Sequence, residues 1–507
     1  MTFQENIQNA YTFKGEKILM GCAMLDGKPV TDTKIYLPLK TMNRHGLIAG
    51  ATGTGKTKTL QLIAENLSNQ SIPVMMLDIK GDLSGIGASG SANDKITERC
   101  AHIGIEYKPD ATPLEFLSIS DEPGTRMRAT VSEFGPVLLS KILALNDTQE
   151  GIVSMIFKYC DDHQLPLLDL KDLIKVLQYL NNEGKEEIKA EYGNISSQST
   201  GTILRKIIEL QQQKADVFFG EKSFEIDDLM RFTDDGKGMV SIVRVADLQD
   251  RPKLFSTFML QLLAEIYATM PEAGDIDKPK LILFLDEAHL IFQDATTALL
   301  QQLETIIKLI RSKGVGIFFV TQNPNDIPQN ILGQLGMKVQ HALRAFTAND
   351  RQDIKKVAQN FPETEYYKTE NLITQLGIGE AFITLLNEKG IPTPLVHTLL
   401  CPPASRMDVL TSDEINKIVA TSKISRKYNE EIDEESAYEI LTAKLNSATA
   451  PSTNSNTKTT NTKAEKSTLD TILSSSVTRQ VGRTAANILT RTLLGVLGLG
   501  GKKKSWF

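Results

Sequence analysis

Short apolar runs and longer amphipathic stretches alternate along most of this chain, and their periods separate strands from helices. Runs at Leu47–Ala49, Pro73–Asp78, Met239–Val245, Leu281–Leu285, Val315–Thr321, Lys338–Leu343 and Glu380–Leu386 read as strands. Most are continuously apolar, as expected of strands covered on both faces. Between them, apolar residues recur at helical spacing. Leu60, Ile63, Ala64 and Leu67 follow the first run, and Leu299, Leu303, Ile306, Ile307 and Ile310 precede the fifth. Further helices are predicted over 253–269 and, in polar sequence, over 349–359. Such alternation predicts an α/β fold, a sheet with helices on both faces.

Two regions depart from this rhythm. Residues 1–41 hold only two strand-like runs, Lys17–Met24 and Thr33–Pro38, separated by the turn signal Asp26-Gly27. They form a short N-terminal β element, too little for a domain. Residues 112–235 are dominated by amphipathic helical runs, at Val137–Leu145, Leu167–Leu180 and Gly201–Phe219. This stretch reads as a helical insertion, with Arg205 and Lys206 on a solvated face. It divides the core into residues 42–111 and 236–410, and a helical extension follows over 411–445.

At 507 residues, with 41% hydrophobic and 23% charged positions, the chain has an ordinary globular composition. No uninterrupted apolar run reaches membrane-spanning length, and the first residues lack the apolar segment of a secretory signal. Cys22, Cys100, Cys160 and Cys401 are far apart, without a CxxC pair, which argues against a disulfide framework or a zinc site. These features predict a cytoplasmic protein.

The chemistry centres on residues 50–57, Gly-Ala-Thr-Gly-Thr-Gly-Lys-Thr, which match the phosphate-loop pattern GxxxxGK[ST]. Gly50, Gly53 and Gly55 allow the backbone to curl so that its N–H groups face phosphate oxygens, and the following helix adds the positive end of its dipole. Gly50, Ala51, Thr52, Gly53, Thr54, Gly55, Lys56, Thr57 and Lys58 are the candidate ATP-contacting residues. Lys56 is placed for the β- and γ-phosphates and Thr57 for Mg²⁺.

A second element is the apolar strand 281–285, which runs into Asp286 and Glu287. Buried parallel strands deliver such side chains to a sheet edge, where Asp286 suits the Mg²⁺ shell and Glu287 a general base. The strand 315–321 delivers Gln322 to the same edge, suited to sensing the γ-phosphate or holding the water. The Gly/Ser-rich loop 81–93, after a strand that ends in Asp78, is a candidate lining for the ligand crevice. His289 is read as structural; no HExxH pattern supports a zinc protease.

The order GATGTGKT, VMMLDIKGD, LILFLDEAHL and IRSKGVGIFFVTQNP resembles the HerA–FtsK superfamily of hexameric P-loop motors. Within it, the chain is similar to the bacterial YjgR-type, HerA-helicase-like proteins, over roughly residues 14–410 and including the PPASRM segment at 402–407. The resemblance implies a RecA-like core, ATP hydrolysis, a homo-hexameric ring and DNA as substrate; an ATP-driven protein-remodelling role is the alternative. It departs from archaeal HerA in that residues 1–41 stand where that protein carries a β-barrel. It also implies that Arg311 lies where HerA-type motors carry an arginine at the subunit boundary, which makes it the candidate arginine finger. Arg344 and Arg406 are the other candidates, and capping of its own helix is the alternative role for Arg311.

The C-terminal region differs in character. Residues 446–468 lack large apolar side chains and are expected to be a disordered linker. Residues 469–507 resume helical periodicity, with Arg479, Arg483, Arg491 and Lys502–Lys504. From residue 446 on there are nine basic and two acidic side chains, against 47 basic and 60 acidic before it. Such a basic amphipathic tail suits a partner protein, an anionic membrane surface, nucleic acid or its own oligomer. In the acidic body, any nucleic-acid contact would need a local basic patch.

Overall fold

The computed structural model describes residues 2–246, 251–292, 297–430, 432 and 435–449. The linker and tail expected over 446–507 therefore lie outside it, except that residues 446–449 end a helix, Ala437–Thr449. The described residues form two compact units, one drawn from 2–127 and 224–430, the other from 128–223 and 432–449.

The first unit is built on a sheet of twelve strands: β1 (Lys17–Leu25), β2 (Lys28–Pro38), β3 (Gly46–Ala49), β4 (Val74–Asp78), β5 (Leu114–Ser118), β6 (Thr125–Arg126), β7 (Val240–Arg244), β8 (Leu281–Leu285), β9 (Val315–Thr321), β10 (Met337–Gln340), β11 (Glu380–Thr384) and β12 (Val396–Leu400). Their order is β2-β1-β12-β11-β10-β3-β9-β8-β4-β7-β5-β6. From β10 to β6 every pairing is parallel, and from β10 to β2 every pairing is antiparallel. Alternate residues point to opposite faces, yet Leu47 and Ile48, Met75 and Met76, Ile282 and Leu283 are all buried. The parallel strands are thus covered on both sides.

The N-terminal β element is an extension of this sheet, because β1 pairs with β12. Residues 1–41 also hold a helix, Phe3–Tyr11, which the sequence reading did not include. Thr2 and Glu5 form its capping box, and Phe3, Ile7 and Tyr11 make its buried face. The stretch expected to be a helical insertion, 112–235, opens with β5 and β6, which belong to the main sheet. Glu115 in β5 is buried against Arg231 at 2.8 Å, so a charged residue sits inside a strand.

The second unit is helical, with helices at Val131–Ile142, Asp147–Asp162, Leu170–Asn181, Lys185–Glu191, Ser197–Gln212 and Ala437–Thr449. Buried Asp172 joins its two chain segments. Its carboxylate accepts from the backbone N–H of Leu168 at 2.8 Å and Tyr438 at 2.9 Å, and from the Ser436 hydroxyl at 2.5 Å.

At the start of β3, His45 joins three elements of the first unit. Its Nε2 lies 2.7 Å from the Ile307 carbonyl, and its Nδ1 accepts from the Ile317 N–H at 3.0 Å. These partners require a neutral ring with the proton on Nε2. Burial, opposed by the Ile307 carbonyl and assisted by the charge of Arg311, pushes the ring from the ordinary 6.5 down to about 4. Because the folded value is the lower one, the contribution of His45 is complete above about pH 6.5 and is lost as the pH falls towards 4. The His45→Asn variant keeps an acceptor for Ile317 and tolerates the positive φ of 60°. The stability difference between wild type and variant, measured by denaturant unfolding, should shrink by on the order of 2–3 kcal/mol from pH 7 to pH 4. A pH-independent difference would show that His45 is not held neutral.

Candidate nucleotide-binding site

Parallel register brings the sequence-predicted residues to one edge. Ala49 pairs with Thr321, Phe319 with Leu285, and Leu285 with Leu77. Gly50, Gln322, Asp286 and the turn after Asp78 therefore leave the sheet from four neighbouring strands, β3, β9, β8 and β4. In this order β9 separates the loop strand from the strand that carries the acids.

The loop is held by its neighbours. Gly50 N–H donates to the Thr321 carbonyl at 3.2 Å, Ala51 N–H to Ala342 at 2.8 Å, and Gly379 N–H to Thr54 at 3.1 Å. Gly53 and Gly55 have φ of 78° and 109°, in the left-handed region that disfavours side chains. A Cβ at Gly50 would stand 2.5 Å from the Cβ of His341. His341 is itself buried and bonds Thr59 through Nε2 at 2.9 Å. Burial, with the charge of Lys56 adding to it, pushes its ring down to about 4.

The helix Lys56–Asn69 begins directly at the loop and buries Leu60, Ile63, Ala64 and Leu67 in the main core. Glu65 on this helix is buried and accepts from Ala404 N–H at 2.7 Å, Ser405 N–H at 3.1 Å and the Ser405 hydroxyl at 2.7 Å. The PPASRM segment is thereby fastened to the loop's own helix. The Lys58 ammonium donates to the Met407 carbonyl of that segment and to Gln61.

Lys56 is buried, and its ammonium donates to the carbonyls of Gly50 at 2.6 Å and Ala51 at 3.1 Å. Burial, then the charge of nearby Lys80, lowers its pKa; Glu287, Asp286 and Asp82 oppose that shift. Thr57 donates its hydroxyl to Asp82 at 3.2 Å. Asp286 is pushed up to about 7, chiefly by burial and then by the adjacent charge of Glu287. Glu287 stands at a φ of 45°, in a turn fixed by Ala288 N–H donating to Val320 at 2.9 Å. Its carboxylate is paired with Lys80, lies 3.2 Å from His289 Nδ1, and is 3.4 Å from the Gln322 amide nitrogen at both oxygens. Gln322 in turn accepts from the Thr52 hydroxyl at 3.3 Å.

The donors suited to a cation are the Thr57 hydroxyl and the carboxylates of Asp286 and Asp82, of which Asp82 Oδ1 is buried without a hydrogen-bond partner. An all-oxygen set fits Mg²⁺, which takes one or two carboxylates and completes its shell with water and phosphate.

Arg311 is elsewhere. It is exposed in the turn before β9, at the opposite end of that seven-residue strand, roughly 20 Å from the edge that carries the loop. Arg344 is exposed after β10 and donates to the Thr374 carbonyl at 3.0 Å. Arg406 is taken up by Glu414, at 3.1 and 2.7 Å. Lys80 was absent from the sequence-based site, and Asp82 entered it only as part of the candidate lining loop 81–93. Their local signal was a strand ending in an acid and followed by Lys-Gly-Asp.

A parallel core in which one interior strand leads into GxxxxGK[ST], with an acidic pair two strands away, defines a P-loop nucleoside triphosphatase fold of RecA-like type. The chain belongs to the HerA family: the model for the Helicase HerA-like C-terminal domain matches residues 24–504. It is 21% identical over 370 residues to the DNA double-strand break repair helicase HerA of Sulfolobus acidocaldarius, covering 72% of this chain and 66% of that protein. With the same helicase of Saccharolobus solfataricus it shares 22% identity over 385 residues, 75% of this chain and 68% of that one. The chain thus spans about two thirds of the length of these curated relatives. Among solved structures, the bacterial conjugative coupling protein TrwBΔN70 superposes with a TM-score of 0.51 at 13% identity, covering 80% of this chain and 94% of that one. At that identity the likeness concerns the fold alone.

The loop geometry makes a direct prediction. Gly50→Ala forces the new Cβ against the Cβ and backbone of buried His341, and should both lower the melting temperature and abolish binding of a fluorescent ATP analogue by the fraction that stays folded. Unchanged affinity would show that the loop does not need this approach.

Proposed function

We propose that this chain is an ATP-hydrolysing motor subunit that works in the cytoplasm as a homo-hexameric ring acting on DNA. One observation carries the reading: Lys56, Thr57, Asp286, Glu287 and Gln322 meet at one sheet edge, from three separate strands. Phosphate oxygens compete well for the Lys56 ammonium, because burial and Lys80 make its present surroundings unfavourable for charge. Thr57, Asp286 and Asp82 would hold Mg²⁺, which would supply positive charge beside the phosphates. Glu287 takes a proton from the water whose oxygen bonds to the terminal phosphorus as the bond to the bridging oxygen breaks and the diphosphate leaves with that oxygen, and the Gln322 amide beside Glu287 orients the water. The DNA substrate is supported by the names of the HerA relatives. Among the described residues no helix is long and apolar enough to cross a membrane.

DNA should raise ATP turnover at low salt, and the stimulation should disappear as salt is raised. Lys56→Ala should abolish hydrolysis, whereas Glu287→Gln should bind ATP and turn it over very slowly. Normal turnover in either variant removes that residue's role. Turnover that ignores DNA at every salt concentration favours the protein-remodelling reading instead.

In this reading Arg311 serves the neighbouring subunit, since the length of β9 separates it from its own loop. An arginine finger contributes on the order of 10³–10⁵ in rate. Arg311→Ala subunits mixed with Lys56→Ala subunits should recover turnover that neither has by itself. Rings verified as mixed that stay inactive, or a fully active Arg311→Ala parent, would transfer the role to another residue such as Arg344.

A further inference from the structure

The turn after β4 carries two side chains into the site, and its shape comes from Asp78. One oxygen of that carboxylate accepts from Gly81 N–H at 2.7 Å and Asp82 N–H at 3.1 Å, and the other from Leu83 N–H at 3.3 Å. The turn so fixed sends Asp82 to Thr57 and Lys80 to Glu287. The partners of this ion pair differ in freedom: the Glu287 side chain is 5% exposed and that of Lys80 38%. Glu287 is locked in its turn, whereas Lys80 sits on a flexible four-carbon stem with room to swing. Its charge also bears on Lys56, so two ammonium groups share one small space. Lys56 is held by the carbonyls of its own loop, and Lys80 stands on the side of Glu287 and Gln322, where the terminal phosphoryl group of a nucleoside triphosphate would be attacked.

We propose that Lys80 is a positioning residue that restrains Glu287 in the resting site, then turns its ammonium to the terminal phosphoryl oxygens of a bound nucleoside triphosphate and so releases the carboxylate to act on water. A diphosphate offers Lys80 no such oxygen and leaves the ion pair in place. The pair therefore makes the base responsive to the nucleotide's state. The inference rests on the ATPase reading.

The test compares Mg-ADP with a magnesium-bound non-hydrolysable ATP analogue, bound to the full chain and measured by calorimetry. Lys80→Ala should leave ADP affinity within about twofold and weaken the ATP analogue about tenfold, the scale of one lost charge-assisted contact. Lys80→Arg should restore most of the difference. A role confined to shaping the turn would move both affinities together, because Asp82 and Thr57 serve both ligands. An ATP-analogue affinity in Lys80→Ala that is unchanged, rises, or falls in step with ADP overturns this inference and leaves the ATPase reading intact. A wild-type chain that binds neither nucleotide overturns the ATPase reading and this inference with it.

Discussion

Four adjacent strand ends, held at one level by parallel hydrogen bonding, are the constraint on which the rest of this structure depends. A shift of one residue between β8 and β9 would turn Asp286 or Gln322 to the other side of the sheet. With both faces apolar, it is the close packing of side-chain shapes, Leu283 and Phe284 in β8 against Ile317 and Phe318 in β9, that resists such slippage. The hydrophobic core thus sets the distance between the acids and the phosphate loop, and no contact within the site has to do so.

What the core positions is electrostatically unfavourable without a ligand. Lys56 has its pKa lowered by burial, and Asp286 is pushed up to about 7 by the same cause. Asp78, one strand further, is pushed up to about 6 by burial and the nearby charge of Asp82, while three backbone N–H groups oppose the shift. A magnesium nucleotide would bring the opposite charge to two of these groups, phosphates to Lys56 and a cation to Asp286, whereas Asp78 is bonded by the backbone of its own turn. Sites arranged for ligand rather than for stability show this pattern.

Sequence alone disclosed the part of this arrangement that is local. Strands β3, β4, β8 and β9 announce themselves because two-sided burial demands unbroken apolar runs, and each of them ends in a residue that carries chemistry. Strands β5 and β12 were hidden because each contains a buried ionisable residue whose partner is distant in sequence. Glu115 depends on Arg231, and His397 on Glu380 at 2.9 Å. The role of Lys80 was equally hidden, since a lysine after a strand has no assigned partner until the sheet order puts β4 beside β8. The N-terminal helix was legible in the spacing of Phe3, Ile7 and Tyr11 and in its Thr2–Glu5 capping box, but its few residues were absorbed into the reading of a hairpin.

Lys58, the residue directly after the phosphate-loop motif, ties the loop's helix to the segment after β12. Its backbone belongs to the first turn of the helix, where N–H groups face a phosphate, but its ammonium is committed to the Met407 carbonyl. Burial lowers the pKa of that ammonium, opposed by the charges of Asp82 and Asp408. Together with the Glu65 contacts to Ala404 and Ser405, this attaches the segment after β12 to the phosphate-loop helix between Lys58 and Glu65. The same segment approaches the loop after β4, where a Cβ on Gly85 would stand 2.0 Å from the Asp408 carbonyl oxygen. Residues 404–408 therefore hold the helix that begins at Lys56 against the loop that follows β4, so Lys56 and Lys80 rest on a common support.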